Sequence, residues 1–331
     1  MKIERLTIDA DSAGQEFFLR VFRFRGTGDA SAVYLQAALH AHEVPGTVAL
    51  DRLIPRLEKA EREGRLAADV TVVPHANPIG LSQVLFGETL GRFDFSGRAN
   101  FNRTFPASAT DGQATQRADD RLKAQLLALA TEADITLDLH CDDEGPVYLY
   151  VLERQLEQGR RLAQSLGASV ILTDSGEDPF SFVLKVAERW AGQGRENDAR
   201  FSATVELRGM IDVTPDLAEQ DAAGLYRYLV DLGTVEDTLS PVTPLEPVTG
   251  DIDAAELVLT PAPGALMLNA EVGEWVTEGQ LLAVIVTEAG LEQHEIRAPF
   301  DGLVVTRRDR RIVRRGEYVV KVLRHPRPLQ E

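Results

Sequence analysis

The chain has 331 residues, of which 44% are hydrophobic and 26% charged, and this balance is typical of a folded globular protein. The 52 Asp and Glu residues outnumber the 35 Lys and Arg residues, so the formal net charge is −17. Such an acidic surface repels phosphate backbones and anionic lipids, and we therefore expect neither nucleic acid nor a membrane as a partner.

Cysteine content and hydropathy predict the compartment. The one cysteine, Cys141, cannot form an intramolecular disulfide, which fits a reducing environment. Residues 1–12 have no long apolar core, and no stretch of the chain is as long and apolar as a membrane span. We expect a cytoplasmic protein.

Residues 1–235 alternate strand-like and helix-like segments. Short apolar runs predict buried strands at 32–39, 70–73, 135–139, 169–172 and 203–207. Helical patterns cover 47–63, 117–131, 152–166 and 215–232. This alternation predicts an α/β catalytic domain over 1–235, with a mixed, largely parallel sheet flanked by helices.

Two of these helical patterns contain residues that mark or interrupt a helix. Thr214 is a good N-cap with Pro215 at the first helical position, and Gly233 is a good stop for the same helix. Pro55 lies inside the 47–63 pattern and is expected to kink or divide that helix.

The remainder of the chain has a different composition. Residues 236–255 carry three prolines among Ser, Thr, Asp and Glu, which predicts a linker. Residues 256–331 consist of short β-type runs punctuated by glycine, which predicts a small all-β domain.

Candidate metal ligands follow two of the predicted strands. His40 and Glu43 come directly after the first apolar strand, and His140 ends another. Ligands bind at the carboxyl ends of strands in open α/β sheets. Two histidines and one glutamate form a known catalytic zinc set that leaves a fourth position for water.

Two further polar sites accompany these ligands. Arg92-Phe93 leads to a second polar run over residues 100–106, which contains Asn102 and Arg103. Glu206 lies within an otherwise apolar strand, where a buried carboxylate is costly unless it has a partner or a chemical task.

Taken in chain order, the four sites resemble the motifs of the succinylglutamate desuccinylase/aspartoacylase family, which belongs to the zinc carboxypeptidase superfamily. Within that family they resemble the predicted deacylase subgroup. The resemblance covers about residues 30–235, and the small β domain follows as in that family. It implies a carboxypeptidase-like catalytic fold with a barrel-sandwich C-terminal domain, and a hydrolase acting on amide bonds.

Carried over by position, the resemblance implies one Zn²⁺ per chain with three ligands: His40, Glu43 and His140. Glu206 would be the general base that activates water and protonates the leaving amine. Arg92 would stabilise the oxyanion. Arg103 would bind a substrate carboxylate, with Asn102 beside it.

The sequence departs from the family pattern at one point. The family usually has His-Gly-Asn-Glu, whereas Ala41 and His42 stand at the two central positions here. The ligand spacing is unchanged, so zinc coordination is expected to survive. His42 is interpreted as a structural residue beside the ligands, with a role as a different ligand left open.

Several assignments have alternatives. Arg98 rivals Arg92 for the oxyanion role, and spacing favours Arg92. His75 either faces the pocket or is structural. Asp138 shares a strand face with His140 and either orients a ligand or substrate or is a buried structural aspartate. Cys141 is interpreted as a core residue and not a nucleophile.

Two charged segments are also ambiguous. Residues 142–144 are acidic and either select a basic substrate or form a solvated loop. Residues 307–315 are basic and either form the solvated face of a β-hairpin or contact another subunit, so a homo-oligomer is possible.

The predicted β domain is similar to biotinyl and lipoyl carrier domains. Gly290, Leu291 and Glu292 stand where carriers place the modified lysine between two methionines. Leu291 cannot be biotinylated or lipoylated, so we expect the shape of a carrier domain without its function.

The sequence favours a zinc-dependent deacylase acting on a small N-acyl amino acid or a related N-acyl amine. A metallocarboxypeptidase acting on peptide C-termini uses the same chemistry and is the alternative. A non-catalytic binding protein with a decayed site is the third hypothesis, and the intact ligand set speaks against it.

Overall fold

The computed structural model describes residues 1–106, 117–195, 199–243 and 245–328. Six α-helices are present in these residues: α1 (Pro45–Arg62), α2 (Pro78–Leu81), α3 (Ala118–Glu132), α4 (Leu156–Leu166), α5 (Phe182–Gly192) and α6 (Pro215–Asp231). None of the helices in this part of the chain is both long enough and apolar enough to cross a membrane.

The described residues also form 20 strands. The first ten are β1 (Lys2–Asp9), β2 (Glu16–Phe24), β3 (Val33–Ala37), β4 (Val70–Val73), β5 (Val84–Leu85), β6 (Glu88–Thr89), β7 (Ile135–Asp142), β8 (Val147–Leu152), β9 (Val170–Asp174) and β10 (Phe201–Gly209). The others are β11 (Val248–Asp251), β12 (Ala255–Leu259), β13 (Gly264–Leu268), β14 (Trp275–Val276), β15 (Leu281–Glu288), β16 (Glu292–Arg297), β17 (Gly302–Arg307), β18 (Ile312–Val313), β19 (Tyr318–Arg324) and β20 (Arg327–Pro328).

A ten-stranded mixed sheet forms the centre of the molecule, in the order β1-β2-β4-β3-β7-β10-β8-β9-β11-β20. Strands β4, β3, β7 and β10 run parallel to one another. Strand β8 is antiparallel to β10 and parallel to β9, which is parallel to β11. The sheet is therefore mixed, and both of its edges are antiparallel.

The helices cover both faces of this sheet. Leu35 points to the face on which α1, α4 and α6 pack, whereas its neighbour Tyr34 points to the face covered by α3 and α5. This follows from the alternation of side chains along a strand. Both apolar clusters are almost free of solvent, so the central strands are buried on both faces, as continuous apolar runs predict.

The observed elements agree with the predicted ones at the central strands and at α3, α4 and α6. The Thr214 hydroxyl accepts a hydrogen bond from the Leu217 amide at 3.2 Å, and Gly233 has a φ of 73° just beyond α6. Pro55 lies inside α1 and does not divide it. The hairpin of β1 and β2 was not among the predicted strands, because β1 is a half-exposed edge strand without an apolar run.

The C-terminal residues form two four-stranded sheets, β12-β19-β17-β14 and β16-β15-β13-β18. Their inner faces share an apolar core that includes Ile285, Val304 and Val320. Leu291 is 79% exposed at the turn between β15 and β16. We call residues 255–324 the β module.

Two strands connect the C-terminal part to the central sheet. Strand β11 lies within the segment expected to be a linker and pairs with β9, and β20 pairs with β11. Leu303 and Leu323 of the β module pack on Tyr148 and Leu172 of the sheet. The β module therefore rests directly against β8 and β9, while the division at residues 235 and 255 stays a prediction.

Candidate metal centre and substrate cavity

The three predicted metal ligands meet in one buried group. His40 follows β3, Glu43 lies just before α1, and His140 is on β7 beside β3. Their exposed fractions are 4%, 1% and 3%. One ligand atom from each lies within 4.8 Å of the others, so the group could hold a metal ion.

The ring nitrogens of the two histidines have different partners. The Nδ1 atoms of His40 and His140 face the two carboxylate oxygens of Glu43, at 2.9 and 2.7 Å. Nε2 of His40 lies 2.9 Å from Oδ1 of Asn100, and Nε2 of His140 lies 2.8 Å from Oδ2 of Asp138. For the metal-binding state we assign the proton to Nε2 in both rings, because these oxygens accept it, and a metal would replace any proton on Nδ1. Both Nδ1 atoms then offer a lone pair beside the carboxylate, and this donor set fits zinc.

Asp138 orients His140 through a buried chain of hydrogen bonds. Its Oδ1 accepts from Nε2 of Gln36 at 2.9 Å, and Oε1 of Gln36 accepts from the Tyr34 hydroxyl at 2.8 Å. Burial disfavours the charged form of His140, but Asp138 and Glu43 outweigh this effect and raise its pKa well above the usual value. Of the two readings of Asp138, the structure supports the orienting one.

Glu206 is a half-buried acid with one buried oxygen that has no partner. It lies opposite His140 in the β10–β7 pair and opposite Tyr148 in the β10–β8 pair. Its Oε2 is buried and has no hydrogen-bond partner. Burial raises the pKa of Glu206 to about 8, with His140 opposing the shift. A carboxylate in this state beside a metal-ligand set is typical of an acid–base residue.

Arg92 is held against the metal group by a close backbone approach. A Cβ on Gly91 would lie 2.5 Å from Cβ of Ala41, so only glycine lets these loops touch. The Arg92 guanidinium donates to Oε1 of Glu43 at 2.8 Å and lines the cavity described below. The rival Arg98 is exposed and is not among the residues that line that cavity.

Asn102 and Arg103 lie on the other side of the metal group. Nδ2 of Asn102 is 3.4 Å from Nε2 of His140, and its Oδ1 accepts from the Phe182 amide at 2.7 Å. The Arg103 guanidinium stacks over the Phe180 ring, 4.6 Å from its centre. This contact leaves Arg103 facing the cavity beside the first turn of α5.

A cavity of about 520 Å³ extends from the metal group. It is lined by all seven residues that the sequence singled out: His40, Glu43, Arg92, Asn102, Arg103, His140 and Glu206. The sequence reasoning missed several further lining residues, among them Tyr150, Phe180, Thr204, Tyr318 and Lys321. Alternation along β8 and β10 could have found Tyr150 and Thr204, because Thr204 shares a face with Glu206 and pairs with Tyr150. No local pattern points to Tyr318 and Lys321, which come from the β module.

The acidic loop after His140 is neutralised by the β module. Asp142 accepts a hydrogen bond from Lys321 at 2.7 Å, and Asp143 accepts one from the Tyr318 hydroxyl. Glu144 forms ion pairs with two arginines of the basic segment, Arg307 and Arg311. The reading of a solvated hairpin face is therefore wrong for Arg307, whereas Arg311 stays exposed, and the alternative of a solvated acidic loop is wrong as well. The contact lies within one chain.

Three other residues lie outside the metal chemistry. His42 is half-buried with an unpartnered Nδ1, and its ring centre is 6.4 Å from that of His40. His75 is exposed and does not line the cavity. Burial raises the pKa of the Cys141 thiol, which agrees with its interpretation as a core residue.

Comparison with known proteins identifies the family. The model of the succinylglutamate desuccinylase/aspartoacylase catalytic domain matches residues 29–232. The chain belongs to this family. A curated relative, the N-alpha-acetyl-L-2,4-diaminobutyric acid deacetylase of Halomonas elongata, is 28% identical over 306 residues, which cover 89% of this chain and 82% of that protein.

Solved structures share the fold of this chain. A family protein from Shewanella amazonensis superposes with a TM-score of 0.86 at 24% identity, covering 99% of this chain and 100% of that one. The ectoine utilization protein EutE (DoeB) from Ruegeria pomeroyi superposes with a TM-score of 0.76 at 19% identity, covering 96% and 92%. The family, expected from the four ordered motifs, and the mixed α/β fold, expected from the alternation of strands and helices, are confirmed.

Proposed function

We propose that the chain is a zinc-dependent deacylase that hydrolyses the amide bond of a small N-acyl amino acid or a related N-acyl amine. The observation that carries this proposal is the buried His40, Glu43 and His140 group beside the unpartnered carboxylate of Glu206, in one cavity. Membership of a family of deacylating hydrolases supports it. The carboxypeptidase-like arrangement implied by the sequence belongs to the same proposal.

The ligand group determines what a bound metal would contribute. A zinc ion held by His40, Glu43 and His140 would supply Lewis acidity, which polarises an amide carbonyl and makes water more acidic. Asp138 and Asn100 fix the rings of the two histidines from behind. These contacts keep the donor atoms converged before a metal binds.

Glu206 is the proposed general base. Glu206 lines the cavity, and its oxygen other than the buried Oε2 accepts a proton from the attacking water and then delivers that proton to the leaving nitrogen, so the carboxylate is restored after each cycle. A high pKa suits both steps, because the group both accepts and releases a proton near neutral pH.

Arg92 is the proposed oxyanion residue. A guanidinium has five N–H donors, and its contact with Glu43 leaves others to face charge that develops on the substrate carbonyl oxygen. Arg103, stacked on Phe180, is proposed to bind a substrate carboxylate, with Asn102 beside it.

The first test compares metal content in the wild type and in His140→Ala by elemental analysis, followed by hydrolysis of a panel of N-acyl amino acids. We expect about one zinc per wild-type chain, lost in the variant, and release of free amino acid by the zinc-loaded wild type. N-alpha-acetyl-L-2,4-diaminobutyrate enters the panel because the curated relative is named for it. If the wild-type chain takes up no zinc, the deacylase proposal is rejected, and a non-catalytic binding protein with this fold becomes the favoured hypothesis.

A carboxypeptidase acting on peptide C-termini is the second candidate, since Arg103 suits a carboxylate in either substrate. The cavity favours a small-molecule substrate over a peptide, because three residues of the β module line one side of it: Arg308, Tyr318 and Lys321. Hydrolysis of short peptides at a higher kcat/KM than any N-acyl amino acid would reverse this preference.

A further inference from the structure

A lysine of the β module lies in the wall of the cavity. Lys321 is on β19, and its side chain is 12% exposed. Its ammonium contacts three oxygens of the central sheet: Oδ2 of Asp142 at 2.7 Å, the Tyr148 hydroxyl at 3.1 Å and the Tyr150 hydroxyl at 3.2 Å. An ammonium has three N–H donors and no acceptor, so these contacts use all of its hydrogens.

The two tyrosine hydroxyls in this cluster are not equivalent. Tyr148 is fully buried, and its hydroxyl donates to Asp142 at 2.7 Å, an ideal distance for a bond to a carboxylate. The Tyr148 and Tyr150 hydroxyls are 3.2 Å apart, which is long for an O–H···O bond. The Tyr150 oxygen accepts from Lys321, so its own hydrogen has no strong acceptor within the cluster.

Tyr150 is the member of this cluster that reaches substrate space. It is half-buried and lines the cavity, whereas Tyr148 is not among the lining residues. It is also near enough to Arg103 to counter the lowering of that guanidinium's pKa by burial. The hydroxyl is therefore bonded to one cation, Lys321, and shares the cavity with a second, Arg103.

We propose that Tyr150 is a substrate-binding residue whose hydroxyl donates a hydrogen bond to the carboxylate of an N-acyl amino acid, alongside Arg103. This inference rests on the proposed function. Lys321 polarises the hydroxyl and holds its oxygen, so the hydrogen points to an anionic acceptor. The site would thereby distinguish N-acyl amino acids from N-acyl amines that lack a carboxylate.

The test measures binding by calorimetry in the zinc-loaded full-length chain carrying Glu206→Gln, which suppresses turnover. The two ligands are N-alpha-acetyl-L-2,4-diaminobutyrate and its carboxamide, which differ only in the group that Tyr150 is proposed to bind. Adding Tyr150→Phe should weaken binding of the acid about tenfold, the usual size for a hydrogen bond to a charged group. The same change should alter carboxamide binding by less than about twofold.

Tyr226→Phe is the matched control, since it removes a hydroxyl bonded to Asp237 far from the cavity and should leave both affinities unchanged. Thermal unfolding verifies that each variant is folded. Equal losses for acid and carboxamide, no loss for the acid, or no binding of the acid at all would each overturn the inference. Selective loss of acid binding without hydrolysis by the wild type would support the inference and reject the proposed deacylase activity.

Discussion

At the scale of single residues, the candidate site depends on which atom of each side chain is already bonded. The outer nitrogens of His40 and His140 have oxygen acceptors, so the inner nitrogens face Glu43. Glu206 differs from the two histidines, because one of its carboxylate oxygens has no hydrogen-bond partner. These differences separate the residues that hold a metal from the residue that moves a proton.

Changing Glu206 to Gln should lower kcat about 10²–10⁴-fold, the range for loss of a general base. Zinc content should stay at the wild-type value, and the midpoint of thermal unfolding should not fall, because the change removes a buried acid with an unpartnered oxygen. Glu157→Gln, at an exposed position on α4, is the matched control and should change neither quantity. Activity near the wild-type value would remove Glu206 from the mechanism.

Changing Asp138 to Asn should weaken zinc binding about 10–100-fold, because an amide supports the outer nitrogen of His140 less strongly than a carboxylate does. Competition with a chelator of known affinity measures this loss. His140→Ala provides the lower limit in the same assay. If zinc affinity does not change, Asp138 is a structural aspartate and does not orient the ligand.

At the scale of elements, the loops that bring Arg92 to the metal group depend on one close contact. The Ala41 amide donates to the Gly91 carbonyl at 3.1 Å, and the Phe101 amide donates to the Arg92 carbonyl at 3.1 Å. These two bonds tie the loop after β3 to the polar run over residues 100–106. The local chain path is therefore fixed by backbone contacts, and the side chains follow from it.

Gly91→Ala should separate the two loops, since the new Cβ would lie 2.5 Å from Cβ of Ala41 and also close to its backbone. We expect a loss of about 1–3 kcal/mol in the free energy of unfolding and a marked fall in kcat/KM, measured by denaturant unfolding and by deacylase assay. Gly192→Ala is the matched control, because a Cβ there meets nothing within 4 Å. A fully active Gly91→Ala variant would show that Arg92 does not need this contact.

At the scale of the whole molecule, the β module and the central sheet meet at a charged interface beside the cavity. Each acid of the 142–144 loop contacts a residue of the β module. The loop begins two residues after the proposed ligand His140, so this interface and the metal site share one strand, β7. An acidic chain thus uses its basic segment to hold its own two parts together.

Reversing one charge of the Glu144–Arg307 pair should lower the free energy of unfolding by about 1 kcal/mol, since both side chains are mostly buried and would face like charges. Glu144→Arg combined with Arg307→Glu should recover part of the loss, although Arg311 would still oppose the new arginine. Denaturant unfolding measures all three variants. Swapping the more exposed Glu256–Arg324 pair is the control, expected near zero. Additive losses without recovery would show that the pair does not stabilise the interface.

The sequence by itself determined the family, the central strands and the three proposed metal ligands. Buried strands have apolar runs, and His40, Glu43 and His140 follow or end such runs, so local order along the chain is enough to bring them to one edge of a sheet. The two ends of α6, at the N-cap Thr214 and near Gly233, were also predictable from the sequence, because helix ends depend on neighbouring residues.

Only the tertiary structure decided how the remainder of the site is built. The Lys321 contact with Asp142 joins residues 179 positions apart, and Arg307 meets Glu144 across 163 positions. Strand β11 joins the central sheet within a segment that is polar and rich in proline. Contacts of this kind form when the β module packs on β8 and β9. They could not be predicted from the sequence, because this packing does not depend on the spacing of residues along the chain.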